Sequence, residues 1–135
     1  MLKQLTAPEI IAADWAEAST DPAGLAAAFY ERLFEMAPET AGMFRGTDMT
    51  AQGAKLATAL GLVVRHAADP GRIAPQLAAL GTRHAELGVE RSQYDIVGAA
   101  LVGTLQDRLG PAFDDSHVTA WVGVYGTVVG FMHPD

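Results

Sequence analysis

Residues 73–88 read IAPQLAALGTRHAELG. One row of residues recurs in this stretch at steps of three and four positions: Ile73, Leu77, Leu80, His84 and Leu87. This spacing follows one face of an α-helix, and a glycine such as Gly88 commonly ends one. The stretch therefore predicts a helix from about Pro75 to Leu87 that directs a histidine toward the protein core.

Capping signals divide the rest of the chain into similar segments. No repeat or long linker interrupts them, so we predict a single all-α domain over residues 1–135, with a turn at Asp69-Pro70-Gly71. About seven helices are expected. The first is opened by the capping box Thr6-Ala7-Pro8-Glu9 and carries Trp15, the second is opened by Asp21 and runs from Pro22 to Met36, and the third is a short one from Pro38 to Phe44. The fourth is capped by Thr47 or Asp48 and runs to about His66, the fifth runs from about Pro75 to Leu87, the sixth follows Ser92 and runs to Leu109, and the seventh is capped by Asp114, Asp115 or Ser116.

Residues 121–130, WVGVYGTVVG, are rich in β-branched residues and glycine, which by propensity alone favour a strand. A lone strand among helices would have no pairing partner, and the apolar positions also fit a helical stripe through Val118, Trp121, Tyr125, Val128 and Met132. We therefore predict a helix. Its glycines cost about 1 kcal/mol each relative to alanine, and we expect a close helix–helix approach to offset that cost.

The composition excludes several classes of protein. The formal net charge of −7 disfavours binding to nucleic acid, and the absence of cysteine excludes disulfides and thiolate metal sites. The N-terminus lacks the apolar run of a signal peptide, and the apolar stretch from Trp121 to Met132 is too short to cross a membrane. We expect a cytoplasmic protein with no membrane partner.

Three predicted helices each carry one hydrogen-bonding group within an apolar row. Tyr30 lies in the row with Ala26, Leu33 and Ala37, and Gln52 in the row with Leu56, Ala59 and Val63. His84 completes the set. Because a buried polar group without a partner costs on the order of 1–3 kcal/mol, each of the three needs one.

Each residue also has an ordinary structural interpretation. A single histidine on an apolar face is more often a core residue than a metal ligand, a tyrosine can reach water with its hydroxyl, and Gln52 lies close enough to its helix start to be exposed or capping. His66, His117 and His133 lie at helix ends or in the tail, and no paired-ligand spacing supports a zinc site. One ligand would satisfy all three polar groups at once: a flat metal cofactor coordinated on one face, with a polar diatomic molecule on the other.

Three groups of motifs carry a family resemblance. They are FYERLF at 29–34 with Pro38-Glu39 and Phe44, RHAELGV at 83–89 with YDIVG at 94–98, and Ala120-Trp121 with Tyr125-Gly126. Together they resemble the second helix and corner, the proximal segment and the last helix of the flavohaemoglobin lineage, which includes single-domain bacterial globins. The resemblance covers nearly the whole chain and implies a globin fold that encloses a haem pocket.

The resemblance also implies roles for individual residues toward a haem b cofactor. His84 is similar to the proximal histidine that ligates iron, and its other ring nitrogen is expected to donate to the carbonyl of Leu80. Tyr30 and Gln52 match the distal pair that acts on the bound gas, where Gln52 either orients Tyr30 or bonds the ligand itself. The remaining matches are Phe44, which wedges against the porphyrin, Leu56, the apolar distal neighbour, Leu80, Val89 and Val97, which line the pocket, and Tyr94, which lies beneath the proximal ligand.

Two departures from the family pattern bear on function. The chain stops at Asp135, so we expect no reductase domain, and it stops just before the place of a proximal glutamate in the family. Without that carboxylate His84 should push less electron density onto iron. Peroxidase-like chemistry should suffer more from this than reversible binding.

Several functions remain open. The first is reversible oxygen binding for storage, delivery or scavenging, and the second is nitric oxide dioxygenation with electrons from an external reductase. A haem-based or haem-free sensor and a cofactor-free helical bundle are further alternatives. The ligands implied are oxygen and either nitric oxide or carbon monoxide, and the chain is expected to be a monomer or a homodimer.

Overall fold

Six α-helices form most of the computed structural model, which describes residues 4–133. They are α1 (Ala7–Ala18), α2 (Pro22–Met36), α3 (Met49–Arg65), α4 (Ala74–Glu86), α5 (Arg91–Leu109) and α6 (Asp115–Met132). A 3₁₀ helix of seven residues, Pro38–Phe44, follows α2, and shorter 3₁₀ segments cover Pro70–Ile73 and Gly110–Ala112. Residues 4–133 contain no strand, so the all-α prediction is confirmed.

The helix ends largely follow the capping signals. Thr6 and Glu9 form the predicted capping box, and Asp48, rather than Thr47, caps α3 by accepting from the backbone N–H groups of Thr50 and Ala51. Gly88 follows α4 with a φ of +91°, a left-handed conformation that side chains with a Cβ rarely adopt. Its place just beyond α4 matches the predicted stop.

Two boundaries differ from the prediction. The expected turn at residues 69–71 is instead a 3₁₀ helix, Pro70–Ile73, that leads directly into α4. Helix α5 begins at Arg91, because Glu90 and Gln93 form a reciprocal capping box ahead of Ser92. A glutamate at the capping position is uncommon, which explains why Ser92 was the more obvious signal.

Two groups of buried side chains make up the interior. The main core joins α1, α2, α5 and α6, and the minor core lies beneath α4. The main core consists of Ile11, Ala18, Leu25, Phe29, Tyr30, Leu33, Ala100, Leu101, Leu105, Phe113, Ala120 and Trp121, and the minor core of Ile73, Leu77 and Val128.

Residues 121–130 are helical, as the stripe predicted, with Trp121 and Val128 buried. The expected reason for the glycines is wrong, however. A Cβ on Gly123, Gly126 or Gly130 would meet no atom within 4 Å, so no close approach occurs at these positions. The close approach involves a glycine on the partner helix: a Cβ on Gly81 of α4 would overlap the backbone carbonyl of Met132.

This difference predicts opposite effects for two glycine substitutions. Gly81→Ala should destabilise the fold by about 1–3 kcal/mol, because the backbone of α6 must move to admit the methyl group. Gly126→Ala should stabilise it by roughly 0.5–1 kcal/mol through helix propensity alone. Urea unfolding of both variants measures the difference, and equal effects would contradict the close contact between α4 and α6.

A buried carboxylate anchors α1 to α6. Asp14, only 6% exposed, accepts from Trp121 Nε1 at 2.9 Å, and His117 Nδ1 lies 2.8 and 2.7 Å from its two oxygens. His117 therefore has a structural partner on α1, consistent with its exclusion as a ligand.

Removal of this carboxylate should weaken the fold. Asp14→Ala leaves the Trp121 and His117 donors without an acceptor, and we expect a loss of about 1–3 kcal/mol in the free energy of unfolding. Glu17→Ala, on the exposed side of α1, is the matched control and should change stability by no more than about 0.5 kcal/mol. Equal losses for the two variants would show that the Asp14 contacts contribute nothing.

None of the helices in residues 4–133 combines the length and the apolar character that a membrane span requires.

Candidate functional site

Helices α2 and α3 pack closely where they carry the two predicted distal residues. A Cβ on Gly53 of α3 would lie 2.9 Å from the Cβ of Ala26 on α2, so a larger residue would force the helices apart. Next to this contact, Gln52 Nε2 donates a hydrogen bond of 3.1 Å to the Tyr30 hydroxyl oxygen. The structure thus brings Tyr30 and Gln52 together.

Tyr30 is 7% exposed and lies among three phenylalanine rings. The ring centroids of Phe29, Phe44 and Phe34 lie 5.0, 5.3 and 5.9 Å from that of Tyr30. Burial raises the pKa of Tyr30 above its usual value, and the Gln52 hydrogen bond offsets part of that rise. The hydroxyl therefore stays protonated at neutral pH.

The direction of the Tyr30–Gln52 hydrogen bond determines whether Tyr30 can donate its own hydroxyl hydrogen to a bound molecule. Because Gln52 donates to the phenol oxygen, the hydroxyl hydrogen of Tyr30 stays available, and residues 4–133 supply no acceptor for it. A phenol arranged in this way can donate to a polar guest without breaking its bond to Gln52.

Phe44 and Leu56 lie beside this pair. Both are half-buried and pack against the main core that contains Tyr30. Phe44 is the last residue of the 3₁₀ helix Pro38–Phe44, which brings its ring against Tyr30. The predicted distal residues thus share one region of the fold.

The candidate proximal histidine is oriented by its own helix. His84 Nδ1 lies 2.7 Å from the carbonyl oxygen of Leu80, the contact expected one turn earlier. A hydrogen bond there places the ring hydrogen on Nδ1 and leaves the lone pair on Nε2. Nε2 has no hydrogen-bond partner among residues 4–133. The ring is half-buried, and in this tautomer of the neutral imidazole the Nε2 lone pair can bind a metal.

The exposure of the α4 row increases along the helix. Ile73 and Leu77 are buried, Leu80 and His84 are half-buried, and Leu87 is 73% exposed. The expectation that Leu87 belongs to the buried row is therefore wrong, because α4 ends at Glu86 and the chain turns away at Gly88.

Tyr94 stacks against the ring of His84. Their centroids are 6.3 Å apart with the planes inclined by 27°. The Tyr94 carbonyl accepts a hydrogen bond of 2.5 Å from the Tyr125 hydroxyl of α6, and a Cβ on Gly98 would lie 2.7 Å from the Tyr125 ring. Burial raises the pKa of Tyr125, which keeps this donor protonated.

The sequence placed Tyr125 in the apolar stripe of the last helix and in a family motif, and Gly98 in a family motif only, and it predicted no contact between them. Gly98 lies four residues after Tyr94, a helical spacing that puts it on the same face, and that was the available signal. The contact with α6 itself depends on tertiary packing.

The remaining predicted pocket residues are half-buried. Val97 packs against the main core, and the backbone N–H of Val89 donates to the carbonyl of His84 at 3.0 Å. Leu80 contributes its carbonyl to His84 and keeps a half-buried side chain.

The donor set suits a planar metal cofactor. Gln52, Leu56, Ala59 and Val63 form a half-buried row on α3, and Leu80 and His84 a half-buried pair on α4. Helix α4 packs mainly against α6, and helix α3 packs mainly against α2 and α1. The half-buried residues of α3 and α4 therefore do not lie in a main contact between these two helices. Partly exposed apolar side chains, one unprotonated imidazole nitrogen and one free phenol hydrogen match the requirements of a haem that carries a polar ligand.

Comparison with known proteins places the chain in a family. The globin family profile matches residues 27–132. The flavohaemoprotein of Chromobacterium violaceum is 35% identical over 100 residues, which are 73% of this chain and 25% of that protein. The chain spans about a quarter of the length of the flavohaemoproteins it matches and corresponds to their globin part.

Solved structures show the same fold. A bacterial globin from Campylobacter jejuni has a TM-score of 0.81 at 25% identity, with 93% of this chain and 91% of that chain covered. A Pseudomonas aeruginosa protein described as structurally highly homologous to a human haemoglobin has a TM-score of 0.82 at 24% identity, with 94% and 95% covered. The chain therefore belongs to the globin family, related to the globin part of flavohaemoproteins, and membership of that family implies haem binding.

Proposed function

We propose that this globin binds one haem b through Nε2 of His84 and uses it to bind oxygen reversibly. The observation that carries the proposal is the hydrogen bond between His84 Nδ1 and the Leu80 carbonyl, which leaves Nε2 as an unprotonated ligand on a half-buried ring. Haem iron supplies the reversible binding of a diatomic gas.

The apolar residues would hold the cofactor and exclude water. Phe44, Leu56, Leu80, Val89 and Val97 are half-buried side chains that a porphyrin could cover, and Tyr94 supports the ring of His84 from behind. Exclusion of water strengthens the electrostatic contacts that remain in the pocket.

Tyr30 would give the site its selectivity among gases. Tyr30 would donate its phenol hydrogen to a gas ligand that carries partial negative charge, and a charge-assisted hydrogen bond of this kind is worth roughly 1.5–3 kcal/mol. Carbon monoxide carries less charge and gains less. Gln52 holds the Tyr30 oxygen from the other side and so keeps the phenol hydrogen free for the ligand.

Nitric oxide dioxygenation is the second candidate. The likeness to the globin part of flavohaemoproteins favours it, and the same Tyr30 donor would stabilise negative charge on the reacting oxygen. An external reductase would have to return the iron to the ferrous state after each cycle.

A multiple-turnover assay separates the two functions. The oxygenated protein is mixed with repeated additions of nitric oxide, together with a generic flavin reductase and its electron donor. We expect about one equivalent of nitric oxide to be consumed per haem. The rate of nitric oxide consumption should then fall to the rate measured with the reductase and its electron donor in the absence of the globin. Sustained consumption over many equivalents would establish the dioxygenase instead.

A further inference from the structure

Two buried polar side-chain atoms, the Tyr94 hydroxyl and His133 Nδ1, have no hydrogen-bond partner among residues 4–133. They belong to neighbouring rings, whose centroids lie 5.8 Å apart in an edge-to-face arrangement. Buried polar groups are nearly always paired, because an unpaired one loses its bonds to water without replacement. Because the two unpaired atoms belong to rings in contact, one hydrogen-bonding partner could satisfy both of them.

The backbone around both rings is held in place. The Tyr125 hydroxyl donates to the carbonyl of Tyr94 at 2.5 Å, and Arg91 Nη1 donates to the carbonyl of His133 at 2.6 Å. Tyr94 itself is only 5% exposed and stacks on His84. These contacts hold the start of α5 and the end of α6 against each other, so the two rings remain neighbours.

The chemistry of the pair suits a small neutral guest. A phenol can donate and accept, and an imidazole nitrogen does one or the other according to its tautomer. A water molecule offers two donors and two acceptors, so a single one can bond to both atoms whichever tautomer His133 adopts. We propose that the Tyr94 hydroxyl and His133 Nδ1 together bind one buried water molecule.

This water would act on the candidate haem site through Tyr94, a consequence that rests on the proposed function. The bridge fixes the hydroxyl end of Tyr94 while the ring of Tyr94 stacks on His84. His133 is then a positioning residue, which acts on the imidazole of His84 through Tyr94 and the water.

A double-mutant cycle on the full chain as purified tests the water site. Tyr94→Phe and His133→Phe keep the ring shapes and remove one partner each. With a bridging water, each variant should raise the equilibrium constant of unfolding about fivefold or more, and the double variant little further, because either change alone breaks the bridge. Tyr125→Phe is the benchmark for a buried hydroxyl that has a protein acceptor.

The absence of a bridging water predicts a different result for the same variants. If the two atoms are unpaired, each single variant removes a desolvation penalty and should lower the unfolding constant. Additive effects, or electron density at high resolution that shows no water within hydrogen-bonding distance of both atoms, would overturn the proposal. Density for a water bonded to both atoms would support it.

A spectroscopic readout separates this inference from the proposed function. In the ferrous protein, Tyr94→Phe and His133→Phe should shift the iron–histidine stretching band in the same direction, and the double variant should shift it by no more than the larger single change. Unchanged band positions would overturn the positioning role of His133. If the wild-type chain binds no haem, the proposed function fails, and the cycle and the density still decide the water site.

Discussion

Purified His84→Ala protein is expected to lose most or all of its Soret absorbance, whereas the wild-type protein is red. His84 Nε2 is the unprotonated imidazole nitrogen that the Leu80 hydrogen bond orients, and Ala85 and Glu86 beside it offer no replacement ligand. Loss of a residue that only supports a metal ligand typically costs 10- to 100-fold in affinity, so loss of the ligand itself should weaken haem binding by more than about 100-fold. Titration of the haem-free protein with haemin measures this.

His66 provides a matched control for this variant. Its Nδ1 lies 3.0 Å from the carbonyl of Leu62 four residues earlier, the same local arrangement as in His84, but it stands at the C-terminal end of α3. His66→Ala should keep the wild-type haem stoichiometry and Soret position. If His66→Ala lost haem and His84→Ala kept it, the assignment of the proximal ligand would be wrong.

Tyr30→Phe should speed oxygen dissociation by about tenfold or more. The variant removes one charge-assisted hydrogen bond, worth roughly 1.5–3 kcal/mol, or about 10- to 150-fold in the dissociation rate. The ring itself, with its contacts to Phe29, Phe34 and Phe44, is preserved. Stopped-flow displacement of oxygen by carbon monoxide measures the rate, and carbon monoxide dissociation should change much less.

Tyr125→Phe is the control for the loss of a tyrosine hydroxyl. That hydroxyl already donates to the Tyr94 carbonyl and so is not available to a ligand. Its removal should leave oxygen dissociation within about threefold of the wild type, since this neutral hydrogen bond is made to Tyr94, on the His84 side of the site, and not to the gas ligand. An unchanged rate in Tyr30→Phe would mean that the Tyr30 hydroxyl points away from the ligand.

Much of the fold could be predicted because its signals are local. Such signals span only one or two helical turns: they are the apolar row of α4, the stop at Gly88 and the Thr6–Glu9 capping box. The stripe through Trp121 and Val128 correctly outweighed the strand propensity of residues 121–130. The reason given for the glycines of α6 failed because a close approach depends on the partner helix, where Gly81 takes that role.

In the candidate site too, contacts within one helix could be predicted and contacts between distant segments could not. The contact of His84 with the Leu80 carbonyl lies within one helix and was expected from the role that the resemblance implies for His84, whereas the Gln52–Tyr30 bond was one of two stated alternatives. The bonds of Asp14 to α6 and the contact between Tyr94 and His133 join residues far apart in sequence. No periodicity within one helix indicates such pairs, so only the folded chain reveals them.

The central claim is that Nε2 of His84 is bonded to the iron of a haem. Resonance Raman spectra of the ferrous, ligand-free protein test it most directly, since an iron–histidine stretching band shifts when the histidines carry a heavier nitrogen isotope. We expect that band in the wild-type protein and in His66→Ala, and its loss in His84→Ala. A wild-type spectrum without the band, or a band that persists in His84→Ala, would contradict the assignment.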